Sequence, residues 1–290
     1  IDDQCMQRPV FLLEKVRPVV EACRRAGRAE VVLGGAGYSI FPEAALRFLG
    51  ADLGVQGEGE VAFPGLLEAL AAGGDPLSVP RVHSTAGDPC RGPAAPVDLD
   101  LHPYPVQHLQ ACGALQVSEL WVPVQTRRGC PLRCVYCSTP LIEGRRLRLR
   151  SLDRVLDDLT RLAAAGVRRL YFVDNTFNLP PSYALALCRR MAAAALGFEW
   201  RAIVYPGRLT DELARAMADA GCVEVALGFE SGCDEMLRAL GKPFSVIDVQ
   251  RVSEALAAVG MRRGGFLLLG APGETEDTVR RSLEVVATLG

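Results

Sequence analysis

Short apolar runs alternate with amphipathic stretches along most of this sequence, and this alternation limits the fold more than any other feature. In the second half of the chain the apolar runs read as strands, each followed by a helical pattern, and they cover residues 122–126, 169–174, 199–205, 223–229 and 264–269. Strands that alternate with helices predict a parallel sheet, and five right-handed units of this kind curl into a barrel or part-barrel. In such folds the chemistry lies at the carboxyl ends of the strands.

A smaller α/β region precedes these units. Its apolar runs at 31–33 and 52–55 each lead into a glycine turn, Gly34-Gly35 in one case and Gly57-Glu58-Gly59-Glu60 in the other. Residues 73–118 are rich in proline and show little periodicity, which is typical of a linker. We therefore predict three parts: an α/β domain over 1–75, a proline-rich linker over 76–120 and a part-barrel over 121–290.

Composition excludes several classes of protein. The 32 Lys and Arg residues against 34 Asp and Glu give a formal net charge of −2, which removes the electrostatic argument for a nucleic-acid or membrane-surface partner. A hydrophobic fraction of 49% and a mean hydropathy of +0.17 indicate a globular protein with a large core. No apolar run approaches the roughly 18 to 20 residues that span a bilayer. Because the chain starts at Ile1 without a leader pattern, we expect a soluble, cytoplasmic protein that lacks a segment at each end.

Three of the ten cysteines lie close together after the first strand of the barrel region. Cys130, Cys134 and Cys137 have the spacing C-x3-C-x2-C. Zinc needs a fourth Cys or His ligand, for which Cys112 and His108 are the nearest upstream candidates. A four-iron cluster on three thiolates leaves one iron for an outside ligand, which is useful at a reactive site. The spacing favours an iron–sulfur cluster, with zinc or unligated thiols as the alternatives.

This loop resembles the hallmark loop of the radical SAM superfamily, C-x3-C-x-aromatic-C, through Cys130, Cys134, Tyr136 and Cys137. The resemblance implies a (β/α)6 part-barrel, of which five strands are recognisable, and a [4Fe-4S] cluster on the three cysteines. It also implies that S-adenosylmethionine (SAM) chelates the free iron through its amino and carboxylate groups, and that Tyr136 belongs to the SAM site. An external one-electron reductant of the flavodoxin or ferredoxin type would then drive cleavage of SAM to a 5′-deoxyadenosyl radical.

The same resemblance assigns further positions at the strand ends to SAM. Asp174 follows the second strand, where many members carry Gly-Gly-Glu, and is a candidate for the methionine amino group. Glu230 is expected near the ribose or the amino group, and Leu269 and Gly270 are expected behind the adenine. Arg201 is a candidate for the cofactor carboxylate, because a guanidinium binds a carboxylate in a bidentate fork.

The first domain resembles the C-terminal half of a cobalamin-binding domain with a flavodoxin-like or Rossmann-like fold. Gly34, Gly35, Gly57 and Glu58 match turns that line the slot for the nucleotide tail, where glycine lets the backbone approach a bulky ligand. The Asp-x-His-x-x-Gly segment that usually supplies a cobalt ligand is not in this sequence. Either it lay in a missing N-terminal segment, or cobalamin is bound without a protein ligand. The remaining candidate cobalt ligands are the linker histidines His83, His102 and His108. A bare flavodoxin-like sheet without a cofactor is the alternative.

These resemblances predict a cobalamin-dependent radical SAM enzyme that methylates an unactivated carbon of a small-molecule substrate. One SAM would methylate cob(I)alamin, and a second would yield the radical that abstracts a substrate hydrogen. The alternatives are a cobalamin-dependent cyclase or rearrangement enzyme, a methylthiotransferase without cobalamin, and a sensor without catalysis. A methylthiotransferase carries three further cluster cysteines ahead of the barrel, and the cysteines in that part of this chain are dispersed: Cys5, Cys23, Cys90 and Cys112.

Overall fold

A computed structural model describes residues 11–27, 29–86, 97–105 and 117–289. The chain forms two compact units: residues 1–98 with 138–144 make the smaller one, and residues 99–137 with 145–290 make the larger. Within the described residues, no helix is long and apolar enough to cross a membrane. Four residues named in the sequence predictions lie outside the described ranges: Cys5, Cys90, His108 and Cys112.

The smaller unit contains a three-stranded sheet. Its strands are β1 (Val32–Leu33), β2 (Leu53–Val55) and β3 (Val82–Ser84). β1 and β2 run parallel, as the alternation predicts, whereas β3 runs antiparallel to β2. The sequence does not predict β3, because three residues inside a proline-rich stretch are too few for a strand period to show.

The helices of this unit pack against its sheet or against one another. They are α1 (Leu13–Ala26), α2 (Ala36–Ile40), α3 (Pro42–Leu49), α4 (Gly59–Ala71) and α5 (Thr139–Ile142). α3 shows how the sequence sets these bounds: Pro42 occupies the first turn, where its missing N–H costs nothing, and Gly50 ends the helix with a left-handed φ of 66°. Leu46 and Leu66 are fully buried in the two apolar clusters of this unit.

The larger unit is built on a five-stranded parallel sheet, which confirms the predicted α/β class. Its strands are β4 (Trp121–Val124), β7 (Arg169–Phe172), β8 (Glu199–Val204), β9 (Cys222–Glu230) and β10 (Arg262–Leu267). The strands lie side by side in chain order, so all carboxyl ends meet at one edge. Two short strands that the sequence did not predict, β5 (Arg127–Arg128) and β6 (Arg148–Leu149), form a separate antiparallel pair. β5 follows directly after β4 in the chain.

Six helices of the larger unit follow strands β6 to β10 in the chain, and three of them begin at a capping side chain. They are α6 (Leu152–Ala164), α7 (Pro181–Ala194), α8 (Asp211–Asp219), α9 (Asp234–Ala239), α10 (Val246–Ala258) and α11 (Glu276–Leu289). Ser151 and Thr210 accept hydrogen bonds from the backbone of the first turns of α6 and α8. Ser245 and Asp248 form a reciprocal capping box at the start of α10.

One face of the five-stranded sheet forms the main core. The Trp200 ring packs against Phe172 and Phe177 at centroid distances of 5.1 and 5.0 Å, and all three side chains are fully buried. Because side chains alternate along a strand, the neighbours Arg201 and Ile203 project from the opposite face, where burial is only partial. Functional side chains are therefore available on that second face and at the carboxyl edge of the sheet.

Candidate functional site

The loop that carries the three clustered cysteines is fixed by the segment that follows α9. The Val135 N–H donates to the carbonyl of Leu240 at 3.2 Å. Gly241 has a φ of +75°, and a Cβ at this position would lie 2.5 Å from the Arg133 carbonyl oxygen. Only glycine therefore permits this close approach, and the loop backbone is held against residues 240–241.

The three thiols lie in a partly desolvated environment. Cys130 is buried, and Cys134 and Cys137 are half-buried. Burial raises the pKa of the Cys134 thiol, and the positive charge of Lys242 opposes that rise. Desolvation and the charges of Cys134 and Cys130 raise the pKa of Tyr205, whose buried hydroxyl has no hydrogen-bond partner among the described residues.

Three cysteine thiols on one short loop are a donor set that fits an iron–sulfur cluster. Within the described part of the chain, no three His, Cys, Asp or Glu side chains converge closely enough to hold one ion. Thiolates that bind separate irons of a cluster need not converge on a point. The Tyr205 hydroxyl is a polar atom left to interact with such a group, because burying it without a partner is costly.

Tyr136, Glu230 and Lys242 form a hydrogen-bonded group beside this loop. The Tyr136 hydroxyl donates to Oε1 of Glu230 at 2.8 Å. Nζ of Lys242 donates to the same oxygen at 3.3 Å and to the Gly228 carbonyl at 3.0 Å. The side chains of Lys242 and Glu230 are only 3% and 13% exposed, so the ion pair is largely shielded from solvent. Two donors thus fix the position of the Glu230 carboxylate.

Glu230 also has an unusual backbone conformation. Its φ is +69°, in the left-handed region that residues with a side chain rarely adopt. Such strain is concentrated at functional sites, where the surrounding contacts enforce it. Here the Leu268 N–H donates to the Glu230 carbonyl at 2.9 Å, which connects the end of β9 to the segment that follows β10.

That segment contains the two residues predicted to lie behind adenine. Leu269 is 55% exposed. Gly270 has a φ of +84°, and no described heavy atom lies within 4 Å of a Cβ added there. The hydrogen bond from Leu268 therefore brings an accessible stretch of backbone next to Glu230 and Tyr136 at the carboxyl edge of the sheet. The contacts of these residues with SAM remain predictions.

Asp174 has a clear structural role in this unit. Its side chain is completely buried, and its carboxylate accepts hydrogen bonds from the Thr126 N–H at 2.7 Å and the Thr126 hydroxyl at 2.6 Å. It also accepts from the Arg127 N–H at 3.2 Å and from Nε of Arg127 at 3.1 Å. Asp174 therefore anchors the residues that lead into the cysteine loop, and its predicted contact with the methionine amino group stays a prediction.

Arg201 lies at the third position of β8. Its guanidinium carbon is 4.5 Å from the centroid of Trp121 and 4.8 Å from that of Tyr171, so the cation makes cation–π contacts with both rings. The buried Nε has no hydrogen-bond partner among the described residues. An acceptor such as a carboxylate would satisfy it, which is compatible with the predicted role, although no described contact joins Arg201 to Glu230.

In the smaller unit, Ser39 connects the two predicted glycine turns. Its hydroxyl accepts a hydrogen bond from the Gly57 N–H at 2.8 Å and donates to the Gly35 carbonyl at 2.8 Å. Gly35 and Gly57 have φ values of +94° and +81°, which favour glycine. Gln56 donates to the Ser39 carbonyl at 2.9 Å and strengthens the link between the turns.

The Gly34-Gly35 turn leaves open space where side chains would otherwise lie. A Cβ on Gly35 would meet no described heavy atom within 4 Å, and the nearest atom to one on Gly34 would be the Val55 carbonyl oxygen at 3.9 Å. Glu58 caps the start of α4 with an extended backbone. An accessible backbone of this kind fits a bulky ligand, as the resemblance to cobalamin-binding domains implies, and the contacts of these residues with cobalamin remain predictions.

His83 is buried next to this network. Nε2 lies 3.1 Å from Oε1 of Gln56, so it carries the proton that is donated to that oxygen. Nδ1 has no partner among the described residues, and burial lowers the pKa of the imidazole. Tyr38 packs edge-on against His83 at 6.5 Å, and its hydroxyl is likewise buried without a described partner. His102 is exposed.

Sequence reasoning missed three residues of these sites, Lys242, Tyr205 and Ser39. Thirty of the 32 basic residues are arginine, so a lysine at position 242 was itself a signal. Tyr205 is the last residue of the predicted strand 199–205, and nothing else in the sequence distinguishes it. Ser39 lies four residues after Gly35, where nothing in its type or spacing distinguishes it from an ordinary helix residue.

Comparison with known proteins agrees with this arrangement. The family model of the radical SAM superfamily matches residues 124–286, which is more than half of the chain. An uncharacterized methyltransferase of Pyrococcus horikoshii is 29% identical over 89% of this chain and 58% of its own length. The tryptophan 2-C-methyltransferase of Streptomyces laurentii is 28% identical over 98% of this chain and 58% of its own length.

The structural comparison extends over both units. The radical SAM methyltransferase TsrM from Kitasatospora setae, with tryptophan and a SAM analog bound, has a TM-score of 0.84 and 25% identity over 98% of this chain and 57% of that chain. TsrM with cobalamin and a [4Fe-4S] cluster bound has a TM-score of 0.80 at the same identity and coverage. The chain thus spans somewhat more than half the length of these relatives. From the family match and the cysteine loop, the chain belongs to the radical SAM superfamily.

Proposed function

We propose that this chain is part of a cobalamin-dependent radical SAM methyltransferase that methylates an unactivated carbon of a small molecule. The observation that carries the proposal is the similarity to TsrM over 98% of the chain. This similarity includes both the cysteine loop and the glycine turns, and TsrM has been seen with cobalamin and a [4Fe-4S] cluster. The division into a cobalamin-binding part over 1–75, a linker over 76–120 and a part-barrel over 121–290 belongs to the same proposal, with strand β3 of the linker paired to β2 of the cobalamin-binding part.

In the larger unit, Cys130, Cys134 and Cys137 would hold the cluster. Tyr136 and Glu230 would position SAM together with the backbone at residues 269–270, which is accessible beside them. When bound, the cluster supplies the electron for cleavage of SAM. The chain itself keeps the thiols partly desolvated and holds the Glu230 carboxylate in one place through two donors.

In the smaller unit, Gly34, Gly35, Gly57 and Glu58 would line the slot for cobalamin, which carries a methyl group when bound. Ser39 would keep the two turns at a fixed separation through its two 2.8 Å hydrogen bonds. A fixed slot lowers the conformational cost of binding a large ligand. The remaining partners are the small-molecule substrate and an external one-electron reductant of the flavodoxin or ferredoxin type.

The test uses the full-length protein, purified without oxygen and reconstituted with iron, sulfide and hydroxocobalamin. SAM and a reductant are added, and 5′-deoxyadenosine and S-adenosylhomocysteine are quantified together. A methyltransferase of this kind forms both products, and S-adenosylhomocysteine forms only when cobalamin is present. Deoxyadenosine alone would favour a cyclase or rearrangement enzyme, and neither product from iron-loaded protein would favour a sensor.

Two cysteine variants make this test specific. Cys134→Ala removes one proposed cluster ligand and should lose iron and both products. Cys23→Ala changes an exposed cysteine of α1 outside the loop and should behave like the unaltered protein. Full iron content in Cys134→Ala would contradict the assignment of the three thiolates.

A further inference from the structure

Lys242 is an exceptional residue in this sequence. The chain uses arginine at 30 of its 32 basic positions, and Lys15 and Lys242 are its two lysines. Lys15 lies on an exposed face of α1, whereas the Lys242 side chain is only 3% exposed. A buried ammonium is costly unless it is paired and hydrogen-bonded, so its position calls for a physical explanation.

The ammonium group of Lys242 is surrounded by oxygen acceptors and aromatic rings. Nζ donates to the Gly228 carbonyl at 3.0 Å and to the Glu230 carboxylate at 3.3 Å. It lies 5.3 Å from the ring centroid of Tyr136 and 5.4 Å from that of Tyr205. Both rings contribute cation–π attraction. The ammonium of lysine is a compact point charge, which suits contacts with one carbonyl oxygen and one carboxylate oxygen.

Backbone contacts place Lys242 next to the cysteine loop. Leu240 accepts a hydrogen bond from Val135, and Gly241 lies close to the Arg133 carbonyl and to Cα of Cys134. The ring of Tyr136, which belongs to this loop, lies 5.3 Å from Nζ of Lys242. Lys242 therefore lies beside the cysteine loop and faces Glu230 and Tyr136.

We propose that Lys242 is a positioning residue of the cluster site: its ammonium holds the Glu230 carboxylate, and through it Tyr136, beside the cysteine loop, and it favours one-electron reduction of the bound cluster. This inference rests on the proposed function, because it requires a [4Fe-4S] cluster on Cys130, Cys134 and Cys137. It adds a buried positive charge beside the proposed cluster site.

The electrostatic reason is simple. Three thiolates and the Glu230 carboxylate bring negative charge into a partly desolvated region, where charges interact more strongly than in water. Reduction adds one electron from an external donor to the cluster, and no bond forms or breaks in the protein. The added negative charge is stabilised by a nearby cation, so removal of that cation makes reduction harder.

The experiment is a redox titration of the reconstituted full-length protein with dithionite and mediators, monitored by electron paramagnetic resonance of the reduced cluster. Lys242→Met should shift the midpoint potential to a more negative value, and Lys242→Arg should return it toward that of the unaltered protein. Arg238→Met, which removes an exposed positive charge from α9, should leave the potential unchanged. A Lys242→Met protein with full iron content and an unchanged potential would overturn the proposal.

A second pair of variants keeps the test decisive if Lys242→Met fails to assemble, since that change leaves Glu230 buried without its cation. Glu230→Gln removes the carboxylate charge, and Glu230→Gln with Lys242→Met removes both charges of the pair. The double variant should have a more negative potential than Glu230→Gln alone, and equal potentials would show that Lys242 is only a structural support. Iron and sulfide analysis of the unaltered protein comes first, because an absent cluster would overturn the proposed function itself and this inference with it.

Discussion

The hydroxyl of Tyr136 lies 2.8 Å from Oε1 of Glu230, although 94 positions separate the two residues in the chain. This bond joins the aromatic residue of the cysteine loop to the carboxyl end of β9. Lys242 donates to the same carboxylate oxygen, so Glu230 is held from two sides. The arrangement couples the residues proposed to bind the cluster to those proposed to bind SAM.

Tyr136→Phe removes the first of these donors and leaves the aromatic ring in place. We expect the dissociation constant for SAM to rise about tenfold, because a hydrogen bond to a charged group contributes about 1.5 to 3 kcal/mol and this one is partly exposed. Iron content should not change. Equilibrium dialysis with the reconstituted protein measures the affinity.

The matched control for this substitution is Tyr183→Phe. Tyr183 also donates a 2.8 Å hydrogen bond, in this case to the Arg150 carbonyl, which is not part of the Glu230 group. SAM affinity should stay the same in this variant. Equal losses of affinity in the two variants would show that the effect comes from general destabilisation.

Asp174→Asn tests the buried anchor of the cysteine loop. The Asp174 and Arg127 side chains are 0% and 2% exposed, and removal of one charge leaves the other buried and unpaired. We expect the free energy of unfolding of the larger unit to fall by about 3 kcal/mol, the lower end for a broken buried ion pair. Urea denaturation followed by tryptophan fluorescence measures this, since Trp121 and Trp200 both belong to the larger unit.

Glu199→Gln provides the comparison for Asp174→Asn. Glu199 pairs with Arg169 on the surface, with exposed fractions of 59% and 43%, so its loss should cost less than about 1 kcal/mol. If both variants unfold at the same urea concentration, Asp174 does not have the anchoring role that its hydrogen bonds indicate.

The regular elements of the larger unit could be predicted because long periodic patterns identify them. Val122 and Val124 alternate with exposed or half-buried neighbours on β4, and Ser151 marks the start of α6. The cysteine loop could be predicted because its ligands lie within one short segment. Lys242 could not, because only the folded chain brings the segment after α9 to that loop.

The sequence also did not reveal which side chains contact each other across neighbouring strands. The carboxyl end of β7 predicted that Asp174 would lie at the functional edge, but its contacts with Arg127 depend on the pairing of β7 with β4. Strand β3 was missed for a different reason: its three residues show no period. Sequence patterns therefore located the carboxyl edge of the sheet, but they did not reveal which hydrogen bonds each side chain makes there.

Acidification should destabilise the smaller unit through His83. Burial, with Arg81 acting in the same direction and Glu43 opposing, lowers the pKa of His83 below its usual value of 6.5. The unfolded chain therefore binds a proton first as pH falls, so the stability present above about pH 6.5 is lost as pH decreases toward the lower pKa of the folded state. Thermal unfolding measured between pH 7.5 and about 5 should show a falling midpoint.

Replacing His83 shows how much of this pH dependence of stability comes from its imidazole. His83→Gln removes the titrating group and should flatten the decline in this range. His102→Gln changes an exposed histidine and should preserve the decline. The same decline in His83→Gln and in the unaltered protein would mean that other groups cause it.

Gly34 offers a direct test of the proposed cobalamin slot. Its φ is not in the left-handed region, and an added Cβ would make only an ordinary 3.9 Å contact with the Val55 carbonyl oxygen. The protein itself therefore tolerates alanine at this position, whereas a ligand that approaches the backbone does not. We expect Gly34→Ala to weaken hydroxocobalamin binding about tenfold and Gly34→Val to weaken it further, with little change in thermal stability.

Gly65→Ala in α4 is the matched control, because a Cβ there would also make an ordinary contact, 3.6 Å from the Val79 side chain. It should retain full cobalamin affinity, and it should gain some stability because alanine is the better helix former. Equilibrium dialysis with hydroxocobalamin compares the three variants on one scale. Unchanged binding by a folded Gly34→Val protein would place cobalamin away from the Gly34-Gly35 turn, and the assignment of the smaller unit would then have to rest on other residues.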